Sequence, residues 1–293
     1  MIYNDITIKH SFKKPVMLLI GYFDAMHRGH VRIISDLVLH AREADMLPMI
    51  LTFDTLSVKP LSDAHILTVR DRLHRMNKLG IRNVIMCNFD RDIRQMTAEK
   101  FISTIKDNFN VKAMLVGQDF RFGRDRLGDV GMLSAAGIDI LRTEPVMNDD
   151  GCGKISTNRI KALIMSGDIE NANKMLGRSF SIPGKVHKGK QLGRTLGFPT
   201  MNIHNPDILR PADGAYITQT HVKGSIYPSM TFVSEQVIET HLLGYKNFSY
   251  NLQINIDFFK KIRDNRTFKN LDGLKEQLGN DLALIRRYFE NEK

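Results

Sequence analysis

Cysteine is scarce in this sequence, and long apolar runs are missing altogether. The 293 residues include two cysteines, Cys87 and Cys152, with no C-x-x-C spacing. Neither sits where a neighbour would lower a thiol pKa, so neither reads as a nucleophile or a disulfide partner. Cys87 closes the apolar run Val84-Ile85-Met86 and is expected to be a buried small hydrophobe, whereas Cys152 lies in the turn-like Asp149-Asp150-Gly151-Cys152-Gly153. No stretch approaches the roughly 18 uninterrupted apolar residues of a membrane span. Met1-Ile2-Tyr3-Asn4-Asp5 lacks the basic and apolar regions of a signal peptide, so a cytoplasmic protein is expected. The net charge is +10, yet there is no sustained basic run and no nucleic-acid-binding motif. The excess reads as a solvated surface plus a site for nucleotide phosphates, with neither nucleic acid nor membrane as partner. The length suits two domains with adequate cores and leaves oligomeric state open.

What is present begins with Val16 to Ile20, an apolar run of the kind that forms a strand buried on both faces. It leads into Gly21-Tyr22-Phe23-Asp24-Ala25-Met26-His27-Arg28-Gly29-His30. Val31, Ile33, Ile34, Leu37 and Val38 follow at helical spacing, so the two histidines should stand where a strand hands over to a helix. Free N–H groups at a helix start suit a phosphate, and imidazoles three residues apart share one helical face. A pair of metal ligands is the competing reading, but this stretch supplies at most two.

Those residues resemble the signature of the nucleotidyltransferase superfamily, whose flavin branch reads G-x-F-D-G-V-H-x-G-H. The resemblance implies that Gly21, Phe23, Asp24 and Gly29 shape a nucleotide site and that His27 and His30 act on the triphosphate. Further motifs carry the same resemblance. Gly117-Gln118-Asp119-Phe120-Arg121-Phe122-Gly123 is similar to a G-x-D/N-F-x-F-G loop, which implies Asp119, Phe120 and Arg121 on the flavin side. From the residues alone, a structural turn with two core phenylalanines remains as good a reading. Lys154-Ile155-Ser156-Thr157-Asn158-Arg159-Ile160-Lys161 is similar to I-S-S-T-x-I-R, with Asn158 and Lys161 departing from it. This implies Ser156, Thr157 and Arg159 on phosphate, and Lys161 in the catalytic set as a point charge rather than a bidentate fork. Thr52-Phe53-Asp54-Thr55-Leu56 keeps the acidic Asp54, implied on the flavin side, but lacks the proline and histidine of the family's F-D/E-P-H-P.

Around these motifs, strand-like and helix-like stretches alternate. Strands are expected at Met49 to Phe53, Asn83 to Cys87 and Val111 to Val116, with helices at Arg70 to Leu79 and from the cap Thr97 to Asn108. Such alternation predicts a Rossmann-like α/β domain with a parallel sheet, whose ligands bind at the carboxyl ends of the strands. Gly167-Asp168-Ile169 through Leu176-Gly177-Arg178 matches the run that closes this domain in the family, with Ser179 to Pro183 as linker. The domains are therefore expected at 1–182 and 183–293.

The second part reads as a small antiparallel β-barrel with strands at Tyr216 to Val222, Ile238 to Leu243 and Leu252 to Ile256, and a terminal amphipathic helix from Asp272 to Phe289. Leu274, Leu278, Leu282 and Ile285 form one stripe of that helix. Gly184 to Gln191 nearly spells a P-loop but ends on Gln with no helix pattern after it. Continued through Pro199-Thr200-Met201-Asn202, it resembles the riboflavin kinase domain instead. That implies Thr200 and Asn202 on nucleotide phosphate and Mg²⁺, and Glu239, in Ile238-Glu239-Thr240-His241-Leu242-Leu243, as the base. The family's N-I-G-x-x-P-T segment has no counterpart, and Gly224 to Phe232 reads as a shortened connection.

The leading expectation is an FAD synthetase, converting ATP and FMN to FAD and pyrophosphate with Mg²⁺. Losing a segment that lines the kinase site argues for this single activity. The alternative is a bifunctional riboflavin kinase/FAD synthetase, and a third reading is a flavin-binding regulator without catalysis.

Overall fold

The computed structural model describes residues 1–54, 64–149, 151, 153–189, 193, 197–204, 208–235, 237–247 and 249–291. Thr55, Leu56, Cys152, Lys190 and Gln191, which entered the sequence reading, lie outside the described residues. Contacts divide the chain into two units, Met1–Thr157 and Asn158–Lys293, a division 25 residues before the 182/183 boundary read from the change in sequence character.

The first unit is built on a six-stranded parallel sheet. Its strands are β1 (Ile2–Tyr3), β2 (Val16–Ile20), β3 (Leu47–Phe53), β4 (Asn83–Cys87), β5 (Val111–Val116) and β6 (Asp139–Arg142), in the order β1-β4-β3-β2-β5-β6. The central strand β2 pairs with β3 on one side and β5 on the other, and all of it but Ile20 is buried. Burial on both faces is why its sequence is a continuous apolar run without alternation. The helices are α1 (Arg28–Glu43), α2 (Val69–Lys78), the short α3 (Arg91–Gln95), α4 (Ala98–Phe109) and α5 (Val130–Ala135). Thr97 caps α4 by accepting from the Lys100 N–H at 3.2 Å, and Asn110, left-handed at φ 52°, ends it. Ile102, Ile105 and Phe109 of α4 pack into the core with Val16, Leu18, Met49 and Leu51.

In the second unit α6 (Thr157–Ser166) and α7 (Ile169–Leu176) precede a closed barrel of β7 (Phe180–His187), β8 (Met201–His204), β9 (Gly214–Val222), β10 (Ser225–Val233), β11 (Ile238–Leu242) and β12 (Gln253–Arg263), followed by α8 (Leu271–Asn291). Two sequence expectations fail here. Ser179 to Pro183 is no linker: Phe180 opens β7, whose Phe180, Ile182, Gly184 and Val186 turn inward in strict alternation. Nor is Gly224 to Phe232 a shortened connection. Its residues form β10, which pairs with β9 over its full nine residues and with β11 over five. The barrel needs this strand to close.

The barrel interior carries hydroxyls. Thr218, Thr220, Ser229, Thr231 and Thr240 are fully buried, and their Oγ atoms bond one another at 2.8 to 3.2 Å. Leu278 and Ile285 of α8 pack on Ile217 and Met230, as the stripe predicted. The same helix buries Asp281 completely, where it takes Arg263 Nη2 at 2.7 Å, Arg263 Nε at 3.0 Å and Gln277 Nε2 at 2.9 Å. Asp281→Ala strands a buried guanidinium and should destabilise the unit by about 3–5 kcal/mol in urea unfolding, with Arg263→Met on top recovering part of the loss.

Candidate functional site

The turn after β2 is strained. Phe23 and Met26 adopt left-handed backbone at φ 55° and 42°, which costs non-glycine residues about 1–3 kcal/mol each and is typically retained at functional sites. The strain brings the chain into α1 with His27 as its cap: His27 Nδ1 accepts from the His30 N–H at 3.2 Å. A ring nitrogen that accepts carries no proton, so the hydrogen of neutral His27 is on Nε2. The two imidazoles stack at 3.7 Å and 16°, and the Phe23 ring meets His30 edge-on. Gly21 and Gly29 keep this arrangement open, since a Cβ at Gly21 would lie 2.6 Å from Phe23 Cζ and one at Gly29 3.0 Å from His27 Cε1.

His27, Gly29 and His30 line a cleft of ≈ 460 Å³ together with Asp119, Phe120, Ser156 and Thr157. The cleft joins two sequence-distant motifs at the carboxyl ends of β2 and β5, where ligands of open α/β sheets bind. Arg159 and Lys161 follow on α6, in the second unit. Asp24 points inward, 2 % exposed, with Oδ1 accepting from the Ile66 N–H at 3.0 Å, so it anchors the chain entering α2. Asp54 directly follows β3, with its N–H on the Cys87 carbonyl.

A second cavity of ≈ 490 Å³ lies beside the first, and Asp119 and Phe120 line both. Gly21 and Arg121 also border it. Its walls are largely apolar and include five phenylalanines: Phe53 and Phe89 meet edge-on at 5.0 Å, and Phe120 stacks on Phe122 at 5.8 Å. Arg94, Arg121 and Arg126 lie at its border. Cys87 is buried at its base, and burial pushes that thiol up to about 12, so it is inert. Sequence reasoning missed Phe89 and Phe101, which come from separate elements and share no motif.

It missed Arg72 as well, which reads as one charge on a solvated helix face. The side chain is fully buried, with Nη1 on the Tyr22 carbonyl and Nη2 on the Phe53 carbonyl, both at 2.7 Å. Burial lowers its pKa from the usual arginine value. This one cation ties the turn after β2 to the strand whose Phe53 walls the second cavity.

In the barrel, Glu239 of β11 sits directly opposite Asn202 of β8. Thr200 Oγ1 lies 3.4 Å from Glu239 Oε2, so the three residues that the kinase resemblance implies converge. Thr200 and Asn202 line a cavity of ≈ 460 Å³ with His187, Gly189, Tyr245 and Tyr250. Asn202 Oδ1 is buried with no hydrogen-bond partner among the described residues. His241 holds the neighbouring Pro199 carbonyl through Nδ1 at 2.8 Å, and desolvation lowers its pKa.

Comparison with known proteins agrees with this division. The profile of the FAD synthetase family matches residues 9–158, and that of riboflavin kinase matches 176–289. A bifunctional riboflavin kinase/FMN adenylyltransferase of Escherichia coli (strain K12) is 31% identical over 93% of this chain and 92% of its own. The protein of that name from Bacillus subtilis (strain 168) is 29% identical over 97% and 95%. A crystal structure titled as a macrolide-efflux protein from Streptococcus pneumoniae covers 98% of both chains with a TM-score of 0.88 at 24% identity, a likeness of fold. No helix among the described residues is long and apolar enough to cross a membrane. With both profiles in sequence order and the E. coli relative matched almost end to end, the chain belongs to the FAD synthetase/riboflavin kinase family, and is an enzyme that acts on flavins and nucleotides.

Proposed function

We propose that the chain carries both activities: ATP phosphorylates riboflavin to FMN at the barrel, and a second ATP adenylylates FMN to FAD at the sheet, releasing pyrophosphate. The single-activity reading rested on the absent N-I-G-x-x-P-T segment and a shortened connection in its place; the motif has no counterpart, but the connection is a full strand. Strand β10 supplies that wall of the barrel, and the curated relatives matched end to end are named for two activities. The adenylyl transfer is assigned to the sheet and the phosphorylation to the barrel, whose first strand starts at Phe180, just ahead of the 182/183 boundary read from the sequence.

The observation that carries the adenylyl reading is the shared wall at Asp119 and Phe120. An aromatic cavity suits a flat flavin ring, and a cleft with a helix start and two imidazoles suits a triphosphate. Where they meet, an FMN phosphate oxygen attacks the α-phosphorus while the bond to the β-phosphate oxygen breaks. The protein positions both phosphates and stabilises developing charge, with His27 and His30 on the triphosphate and Ser156, Thr157, Arg159 and Lys161 assigned to the departing pyrophosphate. Asp54 and Arg121 are assigned to the flavin side, with Gly21, Phe23, Asp24 and Gly29 shaping the turn.

At the barrel, Glu239 would take the proton from the flavin's terminal ribityl hydroxyl as that oxygen attacks the γ-phosphorus and the bond to the β,γ-bridging oxygen breaks, releasing ADP. Mg²⁺ fits beside it, because the buried Asn202 Oδ1 and the Thr200 hydroxyl are the hard oxygens such a cation takes. When bound, it would neutralise phosphate charge.

Mixing FMN with ATP tests the adenylyl half: FAD and pyrophosphate should appear in equal amounts, and no FAD would refute it. Gly123→Ala probes the flavin cavity. Gly123 has φ +72°, and an added Cβ would lie 2.9 Å from the Ala98 backbone nitrogen at the start of α4. Neither can yield cheaply, so the Phe120–Phe122 wall must shift. FMN titration should show Kd raised by about 5- to 150-fold, as a cost of about 1–3 kcal/mol implies.

A further inference from the structure

Two carboxylates line the ≈ 460 Å³ nucleotide cleft, and they are not equivalent. Asp119 lies 3.5 Å from Lys154 Nζ. Glu144 has no cation partner among the described residues; its Oε2 accepts from the neutral Gln118 amide at 2.9 Å, which orients the group and leaves its charge uncompensated. A bare carboxylate in a cleft that takes a polyphosphate must stand away from the phosphates, because like charges repel strongly where water is displaced. The sheet order provides the separation. The histidines follow β2, while Glu144 follows β6, two strand positions along the order β2-β5-β6 and hence about 10 Å away. The second cavity shares Asp119 and Phe120 after β5 and extends from there past the end of β2 to β3 and β4, with no residue of β6 or the turn after it in its lining. A nucleotide whose phosphates reach β2 therefore lays its nucleoside towards β6.

We propose that Glu144 is a specificity-determining residue that accepts a hydrogen bond from the nucleoside of the incoming nucleotide. The donors an adenosine offers are the exocyclic amino group of the base and the ribose hydroxyls. A carboxylate accepts from either, and it repels the 6-oxo group that hypoxanthine or guanine presents in place of the amino group. The assignment rests on the adenylyl-transfer reading of this cleft.

FMN adenylylation with ATP, inosine triphosphate, 2′-deoxy-ATP and 3′-deoxy-ATP, in the native protein and in Glu144→Ala and Glu144→Gln, tests it. Glu144 and Gln118 are exposed, so both variants should fold, and an unchanged melting temperature will show it. Loss of a hydrogen bond to a charged group should lower kcat/KM for ATP about 10- to 100-fold in Glu144→Ala. If the base amino group is the donor, the inosine nucleotide hardly responds to Glu144→Ala and improves relative to ATP in Glu144→Gln, whose amide can donate to the 6-oxo group. If a ribose hydroxyl is the donor, ATP and inosine triphosphate fall together and the matching deoxy-ATP loses its sensitivity to the substitution. Either pattern supports the proposal. Variants that match the native protein with all four nucleotides overturn it while leaving FAD synthesis intact. A native protein that makes no FAD overturns the cleft reading itself, and this assignment with it.

Discussion

His30→Ala should cut FAD formation from FMN by about 10²- to 10³-fold while the protein keeps its fold. The two histidines differ in what they are already doing. His27 is 5 % exposed, and its Nδ1 is committed to capping α1. The cap uses the His30 backbone N–H, which an alanine retains, so α1 should start where it does now. What the substitution removes is the ring stacked on His27 and lining the cleft. In the proposed reaction that ring would hold charge as it builds on the departing phosphates. The effect should fall on kcat more than on the KM for FMN, because the aromatic cavity is untouched. His27→Ala would also lose the cap, at about 1 kcal/mol, and should lower the melting temperature as well. FAD synthesis by His30→Ala within threefold of the native rate would remove the imidazole pair from the mechanism.

Glu239→Gln should lower FMN formation from riboflavin by about 10²- to 10⁴-fold and leave FAD formation from supplied FMN unchanged. The amide is nearly isosteric, so the β8–β11 pairing that sets Glu239 opposite Asn202 should survive. It cannot take the hydroxyl proton. Because the two reactions are assigned to different residues, the FMN-to-FAD rate serves as an internal check on folding. Riboflavin phosphorylation within threefold of native would mean that another group is the base.

The first unit was largely legible because a parallel sheet writes itself plainly. Val16 to Ile20, Asn83 to Cys87 and Val111 to Val116 are mostly buried, Lys112 being the one exposed residue among them, and the sequence placed each at its observed bounds. The barrel obscured itself through its interior. Inward positions of β9, β10 and β11 carry Thr218, Thr220, Ser229, Thr231 and Thr240, so the usual apolar-in, polar-out alternation is inverted where the hydroxyls satisfy one another. With Pro228 in its middle, β10 carried no strand signal at all. Pro183 and Gly184 disguised β7 in the same way. At the candidate sites, residues held in one motif could be grouped from the sequence, and His27 with His30, and Thr200 with Asn202, each line one cavity. Residues that meet only through folding could not be grouped this way. Phe53, Phe89 and Phe101 reach one cavity from β3, the turn after β4 and α4, and Arg72 reaches the turn after β2 from α2.

Two active sites in series is the central claim, and one incubation tests it. Purified protein is given riboflavin, ATP and Mg²⁺ without added FMN, and the flavins are separated over time. The account predicts that FMN rises first and FAD follows as FMN is consumed. Riboflavin left unchanged, in a preparation that converts added FMN to FAD, would contradict it.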